Sequence, residues 1–172
     1  MHHTLPVLIA VLALPGCVGA AGHRDLVRDA PRFDVARAFG GASAGEGRLK
    51  VAFRKTRSVH VESLGAIGPD GTITVDQVVT EQGGKTTNRQ WRLHETAPGH
   101  YAGTLSDAAG PVEGEVEGNC LKLRFAMKGD LMAYQWLYAM PDGRTIENRM
   151  SIRKSGVLVA RLKETINRRD QD

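Results

Sequence analysis

Apolar and polar residues alternate with a period of two through most of this chain, and this alternation constrains the fold more than any other feature. Successive side chains of a β-strand point to opposite faces of the sheet, so such rows predict strands with one buried face. The clearest rows are Val112–Glu117, where valines alternate with glutamates, and Leu121–Met127, where large apolar residues alternate with Lys and Arg. From about Phe39 onward, roughly ten rows of this kind follow one another.

Turn signals separate the rows. Pro69-Asp70-Gly71 and Pro141-Asp142-Gly143 combine a proline-restricted φ with a glycine that tolerates positive φ, and Gly83-Gly84 is a similar signal. The short spacing leaves no room for crossover helices, which indicates an antiparallel meander. A meander has two exposed edges unless it closes. We therefore predict an all-β, up-and-down, lipocalin-like barrel over residues 38–168, with a curved open sheet or a sandwich as the alternative.

The N-terminus resembles an export signal. Leu5–Leu14 is an apolar run of about ten residues, long enough for a signal-peptide core and too short to span a membrane. Leu14-Pro15-Gly16-Cys17 follows as a lipoprotein cleavage site. We predict a signal peptide over residues 1–16 and lipid attachment at Cys17, with an ordinary secretory signal as the alternative. No Asp follows Cys17, which favours the periplasmic face of the outer membrane.

Residues 17–37 are rich in Gly, Ala and charge, and we expect a flexible tether with one helical turn near Asp34–Ala38. Residues 169–172 are expected to form a frayed tail. The chain thus contains one barrel domain, and any membrane attachment is expected to pass through the N-terminal lipid.

Composition and motifs argue against several function classes. The net charge of +4 is mild and scattered, so no nucleic-acid partner is expected, and a loose attraction to anionic lipid headgroups is the alternative. The histidines have no metal-ligand spacing, and we predict no metal and no cofactor. Gly41-Ala42-Ser43-Ala44-Gly45 matches the Gly-x-Ser-x-Gly hydrolase pattern, but a strand is expected to follow it instead of a helix. Cys120 is expected to be a small buried hydrophobe. The chain is therefore expected to have no catalytic residues and not to be an enzyme.

Several short stretches resemble a family of Gram-negative lipoproteins known only as domain of unknown function 3833. The resemblance covers about residues 39–166 and depends on the order and spacing of the stretches. They are Phe39-Gly40-Gly41 with Gly45 and Gly47, Arg89-Gln90-Trp91, Tyr101-Ala102-Gly103, Gly118-Asn119-Cys120, Gln135-Trp136-Leu137-Tyr138, Asn148-Arg149, and Lys154 with Gly156-Val157. The resemblance implies an envelope lipoprotein and brings no activity, catalytic residue or cofactor.

Polar side chains interrupt the apolar rows at a few positions, and these are the candidate ligand-binding residues. They are Gln77, Arg89, Gln135 and Asn148, together with Trp91, which shares a strand face with Arg89. An unpaired buried charge is costly, so Arg89 needs a partner, and Glu81 is an available one. The functional hypothesis is a pocket in which Arg89 and the amides hold the polar head of a small lipid-like molecule. The alternatives are a closed polar network in a filled core, or a shift of register that turns these residues outward.

The row around Trp136 is apolar on both faces. We expect another segment, the tether or the tail, to cover it, and the alternative is a strip exposed to a partner or a membrane. Two functions remain open. The chain binds or shuttles a small amphiphile inside the barrel, or it is a structural lipoprotein with a filled core that docks on another envelope component. The protein partner, the ligand and the oligomeric state are unknown at this point.

Overall fold

The structure, a computed structural model, describes His23 and residues 25–169. The expected signal peptide over residues 1–16, the expected acylation site Cys17 and the tail beyond Arg169 lie outside the described residues. The described chain contains one short helix followed by strands. They are α1 (Val35–Phe39), β1 (Gly41–Val51), β2 (Arg57–Ile67), β3 (Ile73–Glu81), β4 (Thr86–Ala97), β5 (His100–Leu105), β6 (Ala108–Glu117), β7 (Cys120–Met127), β8 (Leu131–Ala139), β9 (Thr145–Lys154) and β10 (Val157–Arg168).

The strands form a closed antiparallel barrel in which each strand pairs with its neighbours in sequence. The first and last strands close it, with a register that runs from Ser43 opposite Arg168 to Val51 opposite Ala160. Closure leaves no strand edge unpaired, which removes the hazard of edge-to-edge association. The prediction of an up-and-down, lipocalin-like barrel of about ten strands is confirmed.

The buried face of each strand points into the barrel, as the alternation predicts. Val112 and Leu121 are fully buried, and Leu93 and Leu137 are nearly so. Trp91 and Phe125 meet edge to face inside, with ring centroids 5.4 Å apart. The main core lies between β3–β9 and the helix, and a smaller apolar group around Val59, Val61 and Leu162 lies where β2 and β10 flank β1.

Helix α1 lies at one end of the barrel. The Asp34 carboxylate caps it by accepting a hydrogen bond from the Arg37 N–H. Phe33 and Val35 are buried in the main core, and Phe39 packs against it. The helical turn predicted near Asp34–Ala38 is thus present, and it contributes apolar side chains that close this end. Within the described residues, no helix is long and apolar enough to cross a membrane.

The segment before the helix, His23 and residues 25–34, is an arm that runs against the outside of the barrel. Asn119, which is fully buried, binds it through several hydrogen bonds. The Asn119 side chain accepts from Arg28 N–H at 2.9 Å and donates to the Leu26 carbonyl at 2.9 Å, and the Asn119 N–H donates to the Arg28 carbonyl at 3.0 Å. The tether was expected to extend to residue 37, whereas the described part of this segment packs on the barrel.

Strand β1 starts earlier and ends earlier than the sequence suggests. The alternation at Leu49, Val51 and Phe53 suggests one strand through Phe53, preceded by little regular structure. In the structure β1 begins at Gly41, and Phe53 is fully exposed in the following turn with φ 59°. Pairing with β2 and β10 holds the small residues of Gly41–Gly45 in the sheet, although their own strand propensity is weak.

Candidate functional site

The five residues predicted to bind a ligand all line one cavity inside the barrel. Gln77, Arg89 and Trp91 reach it from β3 and β4, and Gln135 and Asn148 reach it from β8 and β9. Apolar side chains from the helix and from β3, β4, β7, β8 and β10 also line it, among them Phe39, Leu93, Leu137 and Ile166. The register of the barrel therefore brings together residues that are far apart in sequence, as the inward orientation of their rows predicts.

Gln77 organises one side of the cavity. Its Oε1 accepts a hydrogen bond from Arg89 Nε at 3.0 Å and another from Trp91 Nε1 at 2.8 Å, and its Nε2 donates to Ser63 Oγ at 2.9 Å. The Arg89 guanidinium carbon lies 5.9 Å from the centroid of the Trp91 ring, which is within cation–π range. Since Nε is bound to Gln77, the orientation of the guanidinium plane is set and its outer nitrogens remain for other partners.

Glu164 is a member of the cavity lining that sequence reasoning missed. Its side chain is buried, and its Oε2 accepts a hydrogen bond from Asn148 Nδ2 at 2.7 Å. Glu164 stands between Leu162 and Ile166 in an inward-facing row, so it shows the same signal that identified Asn148. The expectation that Glu81 is the partner of Arg89 is wrong, because Glu81 pairs with Arg57 at 2.8 Å.

Two glycines on β1 make room for Glu164. A Cβ on Gly45 would overlap the Glu164 carboxylate and come within 2.9 Å of its Cδ, and a Cβ on Gly47 would lie 3.2 Å from Glu164 Cβ. Both glycines face inward because β1 pairs Gly47 with Glu164 and Gly45 with Ile166. The absence of side chains at Gly45 and Gly47 thus leaves the space that the buried Glu164 side chain occupies.

Burial shifts the proton affinity of both charged groups in the cavity. Desolvation lowers the pKa of Arg89, and the carboxylates of Asp107 and Glu164 partly offset this shift. Desolvation raises the pKa of Glu164, while the bond from Asn148 and the charge of Arg89 act in the opposite direction. The cavity therefore holds a guanidinium that gains from a nearby negative charge, and a carboxyl group that takes up a proton more readily than it would in water.

The cavity is small, with a volume of about 40 Å³. That is comparable with the roughly 30 Å³ that one water occupies in the liquid, and far below the several hundred Å³ of common ligand pockets. Asn148 Oδ1 is buried there without a hydrogen-bond partner from the chain. A buried acceptor without a partner costs free energy, so this site gains from a water or a ligand that donates a hydrogen bond. The cavity accommodates a group about the size of a carboxylate.

The other candidate groups do not assemble into reactive sites. Ser43 lies within the β1 ladder, opposite Ser63 and Arg168, and not on the strained strand-to-helix turn that a hydrolase nucleophile requires. Burial raises the pKa of the Cys120 thiol to about 11, so the group stays protonated and unreactive near neutral pH. Across the described part of the chain, no three His, Cys, Asp or Glu side chains cluster in a way that could hold a metal ion.

The arm covers part of the apolar strip on the outer face of β8. Tyr138 is buried beneath it, and His23 Nδ1 lies 3.0 Å from the Tyr138 hydroxyl. The His23 ring also packs on Trp136, with ring centroids 4.6 Å apart. Trp136 and Tyr134 remain partly exposed beyond the arm. The segment before the barrel thus covers this strip, as predicted, at the end near Tyr138.

Comparison with protein families gives one match across most of the chain. The family model is described as "Protein of unknown function (DUF3833)", and it matches residues 11–168. No curated protein matches the chain.

Solved structures share the fold at very low sequence identity. The S-type phycobiliprotein lyase CPES from Guillardia theta superposes with a TM-score of 0.63 at 8% identity, over 79% of this chain and 90% of that one. A DUF3598-family protein of unknown function from Nostoc punctiforme superposes with a TM-score of 0.55 at 9% identity, over 82% of this chain and 51% of that one. Rv2717c from M. tuberculosis superposes with a TM-score of 0.51 at 15% identity, over 80% of this chain and 99% of that one. At such identities the likeness concerns the fold alone.

Proposed function

The chain belongs to the DUF3833 family of proteins of unknown function, and we propose that it is a non-catalytic, lipid-anchored binding protein. Its ligand is a small molecule with an acidic head, which the polar layer of the barrel interior holds. This layer consists of Gln77, Arg89, Gln135, Asn148 and Glu164.

The unsatisfied hydrogen-bonding capacity of the polar layer carries this proposal. Arg89 uses Nε on Gln77 and lines the cavity, and Asn148 Oδ1 is buried without a partner. A closed structural network would satisfy these groups internally. An acidic head group supplies acceptors for Arg89, and a protonated carboxyl or a bridging water supplies a donor for Asn148.

The volume of the cavity restricts the kind of ligand. About 40 Å³ admits the head group only, so a ligand with an acyl chain needs apolar side chains near the layer to move. Phe39 and Ile166 line the cavity on the side of the helix, and their displacement would open room along the barrel axis. The proposal thus includes a closed unliganded state and a wider liganded one.

The membrane anchor is a separate part of the proposal. Cys17 follows an apolar run and small residues, in the pattern of a lipoprotein signal. Acylation of this cysteine would hold the barrel at the periplasmic face of the outer membrane. Palmitate labelling of cells that express the chain is expected to mark it, and Cys17→Ser is expected to abolish the label. A labelled Cys17→Ser chain would contradict the anchor without affecting the binding proposal.

Trp91 allows ligand binding to be measured inside the barrel. The chain has two tryptophans, and Trp136→Phe leaves Trp91 as the only one. Titration with dodecanoate is expected to change the Trp91 emission, because Trp91 donates to Gln77 beside Arg89. Arg89→Met keeps an apolar stem of similar length and is expected to weaken binding by about tenfold or more, the value of a charge-assisted hydrogen bond.

Arg124→Met is the matched control, because Arg124 lies on the outer face of β7 and pairs with Glu113 at 3.1 Å. It is expected to bind dodecanoate as the parent chain does. Dodecanol provides a test without mutation of Arg89, since the uncharged head should bind the parent chain about tenfold more weakly. Equal binding of acid and alcohol, or no response of Trp91 to either, would contradict the proposal.

The small cavity also favours a second function, a structural lipoprotein with a filled core that docks on another envelope component. In that case the polar layer only orders the core, and a water satisfies Asn148. Dodecanoate would then leave the Trp91 emission unchanged, while crosslinking in cells would recover one protein partner.

A further inference from the structure

The outer face of β1, β10 and β9 carries a basic strip beside an open groove of about 490 Å³. The residues of this basic strip are Arg48 and Lys50 on β1, Arg161 and Lys163 on β10, and Arg149 on β9. The alternation of these strands places all five on the side opposite the cavity. Together they give a concentrated positive surface on a chain whose net charge is only +4.

The basic strip places like charges directly opposite each other. Lys163 lies between Arg48 on one neighbouring strand and Arg149 on the other, and Lys50 lies opposite Arg161. Like charges in cross-strand pairs destabilise a sheet. Glu147 offsets this repulsion at Arg149, whereas Arg48 and Lys163 remain side by side as a pair of like charges that lowers the stability of the barrel.

The same barrel pairs opposite charges on β6 and β7, which follow β8 in the strand order. On β6 and β7, Glu113 lies opposite Arg124 with an ion pair of 3.1 Å, Glu115 lies opposite Lys122, and Lys122 also pairs with Glu117. This complementary pattern is the arrangement that sheet stability favours. The contrast indicates that the basic strip serves another purpose than folding.

Of the carboxylates beside the basic strip, one pairs within it and another pairs outside it. Glu46 binds His60 at 2.6 Å, and Glu147 binds Arg149 at 2.9 Å. Among His23 and residues 25–169, no carboxylate forms an ion pair with Arg48 or Lys163, which are exposed. Both side chains are therefore available to an external anion.

Aromatic residues continue the basic strip on the next strand. Trp136 on β8 lies opposite Arg149, and Tyr134 lies beside it with the two ring centroids 6.4 Å apart. Both rings are partly exposed. Tryptophan and tyrosine are enriched where a protein meets the headgroup region of a membrane, because their rings are apolar with a polar edge.

We propose that the basic strip, together with Trp136 and Tyr134, docks on a membrane surface that carries anionic phospholipid headgroups. Charge complementarity supports this occupant. The choice of a membrane among polyanions rests on the proposed acylation of Cys17. His23 packs on Trp136, and the six residue steps from Cys17 to His23 can span at most about 22 Å. An acylated chain would thus hold this face close to the bilayer.

Vesicle binding tests the surface without the lipid anchor. The chain from residue 17 onward contains the whole barrel and its arm, and Cys17→Ser makes it unable to carry the lipid. This chain is expected to bind vesicles of equal parts phosphatidylglycerol and phosphatidylcholine, and not vesicles of phosphatidylcholine alone. Binding should weaken strongly as salt rises from about 0.1 M to 1 M, since the screening length falls from about 10 Å to 3 Å.

Neutralising Arg48 and Lys163 isolates the contribution of the basic strip. Each basic residue near an anionic surface strengthens binding by roughly fivefold, so Arg48→Gln with Lys163→Gln is expected to weaken it by about 25-fold. Lys85→Gln with Arg92→Gln removes the same charge from β4 and the turn before it, away from the strip and from Trp136, and should change binding by less than about threefold. The strip variant should also resist urea at least as well as the parent, because it loses a like-charge pair.

Three results would overturn the proposal. They are the absence of phosphatidylglycerol-dependent binding, an equal loss of binding in both double variants, and release of the bound chain by inorganic phosphate at constant ionic strength. The last result would identify a site for a small anion in place of a membrane. Because the chain used here lacks the acylation site, none of these outcomes depends on whether Cys17 is lipidated.

Discussion

Arg89 and Glu164 bring opposite charges into the same layer of the barrel, yet each binds an amide. Arg89 donates to Gln77, and Glu164 accepts from Asn148. Replacing Glu164 by an apolar residue leaves the Asn148 amide without its hydrogen bond, whereas Gln77 keeps its bonds to Trp91 and Ser63 when Arg89 is replaced. The pH dependence of stability and the space around Glu164 are the two properties that test this description.

The raised pKa of Glu164 makes stability depend on pH. The folded chain binds this proton more tightly than the unfolded chain, for which the ordinary value is 4.5. The free energy of unfolding should therefore fall as the pH rises from about 4.5 through the raised pKa. Glu164→Gln keeps an oxygen that can accept from Asn148 and should remove this part of the fall.

Urea unfolding at a series of pH values measures the effect. Glu115→Gln, on the outer face of β6, removes the same charge without touching the cavity and should keep the parent profile. Parallel profiles for the parent chain and Glu164→Gln would show that Glu164 gains no proton affinity on folding.

Gly45 is expected to tolerate no side chain. Gly45→Ala places a Cβ against the Glu164 carboxylate and forces it away from Asn148, at a cost of about 1–3 kcal/mol for overpacking a buried site. Gly110→Ala is the matched control, because a Cβ there meets only the Ala126 Cβ at 3.8 Å. Urea unfolding should separate the two variants, and equal stabilities would mean that the glycine makes no room for the carboxylate.

Among the elements, the arm depends on one residue of the β6–β7 turn. Asn119→Ala removes the side-chain bonds to Arg28 and Leu26 and a third to the Ala139 carbonyl at 3.0 Å. Leaving buried backbone groups without partners is expected to cost about 2–4 kcal/mol. Hydrogen exchange should report faster exchange of the Arg28 and Phe33 amides, which donate to Asn119 and to Gly118.

Asn88→Ala is the control for the arm, because Asn88 is exposed on β4. It should leave the exchange of the arm unchanged. Protection of the Arg28 amide in Asn119→Ala would contradict the role given to this side chain.

The sequence predicts elements best where alternation is strong. Leu121–Met127 lies in a single strand as expected, because large apolar side chains decide which face is buried. Gly41–Gly45 has no such side chains, and its place in β1 depends on pairing with a strand more than 120 residues later. Phe53 continues an apparent row but falls in a turn, since apolar residues also occur singly on surfaces.

The candidate site was predictable to the extent that its residues interrupt apolar rows. This rule identifies Gln77, Arg89, Gln135 and Asn148, and Glu164 interrupts its apolar row in the same way. The partner of Arg89 was not predictable, because Glu81 faces inward but lies nearer to Arg57. Hydrogen-bond partners depend on the stagger of neighbouring strands, which alternation alone does not determine.

At the scale of the whole molecule, closure divides the residues into an interior with a polar layer and an exterior with two kinds of charge pattern. The interior volume of about 40 Å³ was not predictable, because it depends on barrel diameter and side-chain packing together. The outer faces of β6–β7 and of β1, β10 and β9 differ in whether neighbouring charges attract or repel. On this account, one molecule binds a ligand inside and a membrane surface outside.

Native mass spectrometry of the chain extracted gently from its own membranes tests the central claim of an interior binding site most directly. We expect a population heavier than the acylated chain by the mass of one small acidic molecule, and we expect Arg89→Met to lose it while Arg124→Met retains it. Identical spectra of the bare acylated chain for all three proteins would contradict the account, because they would show an interior that holds only protein and water.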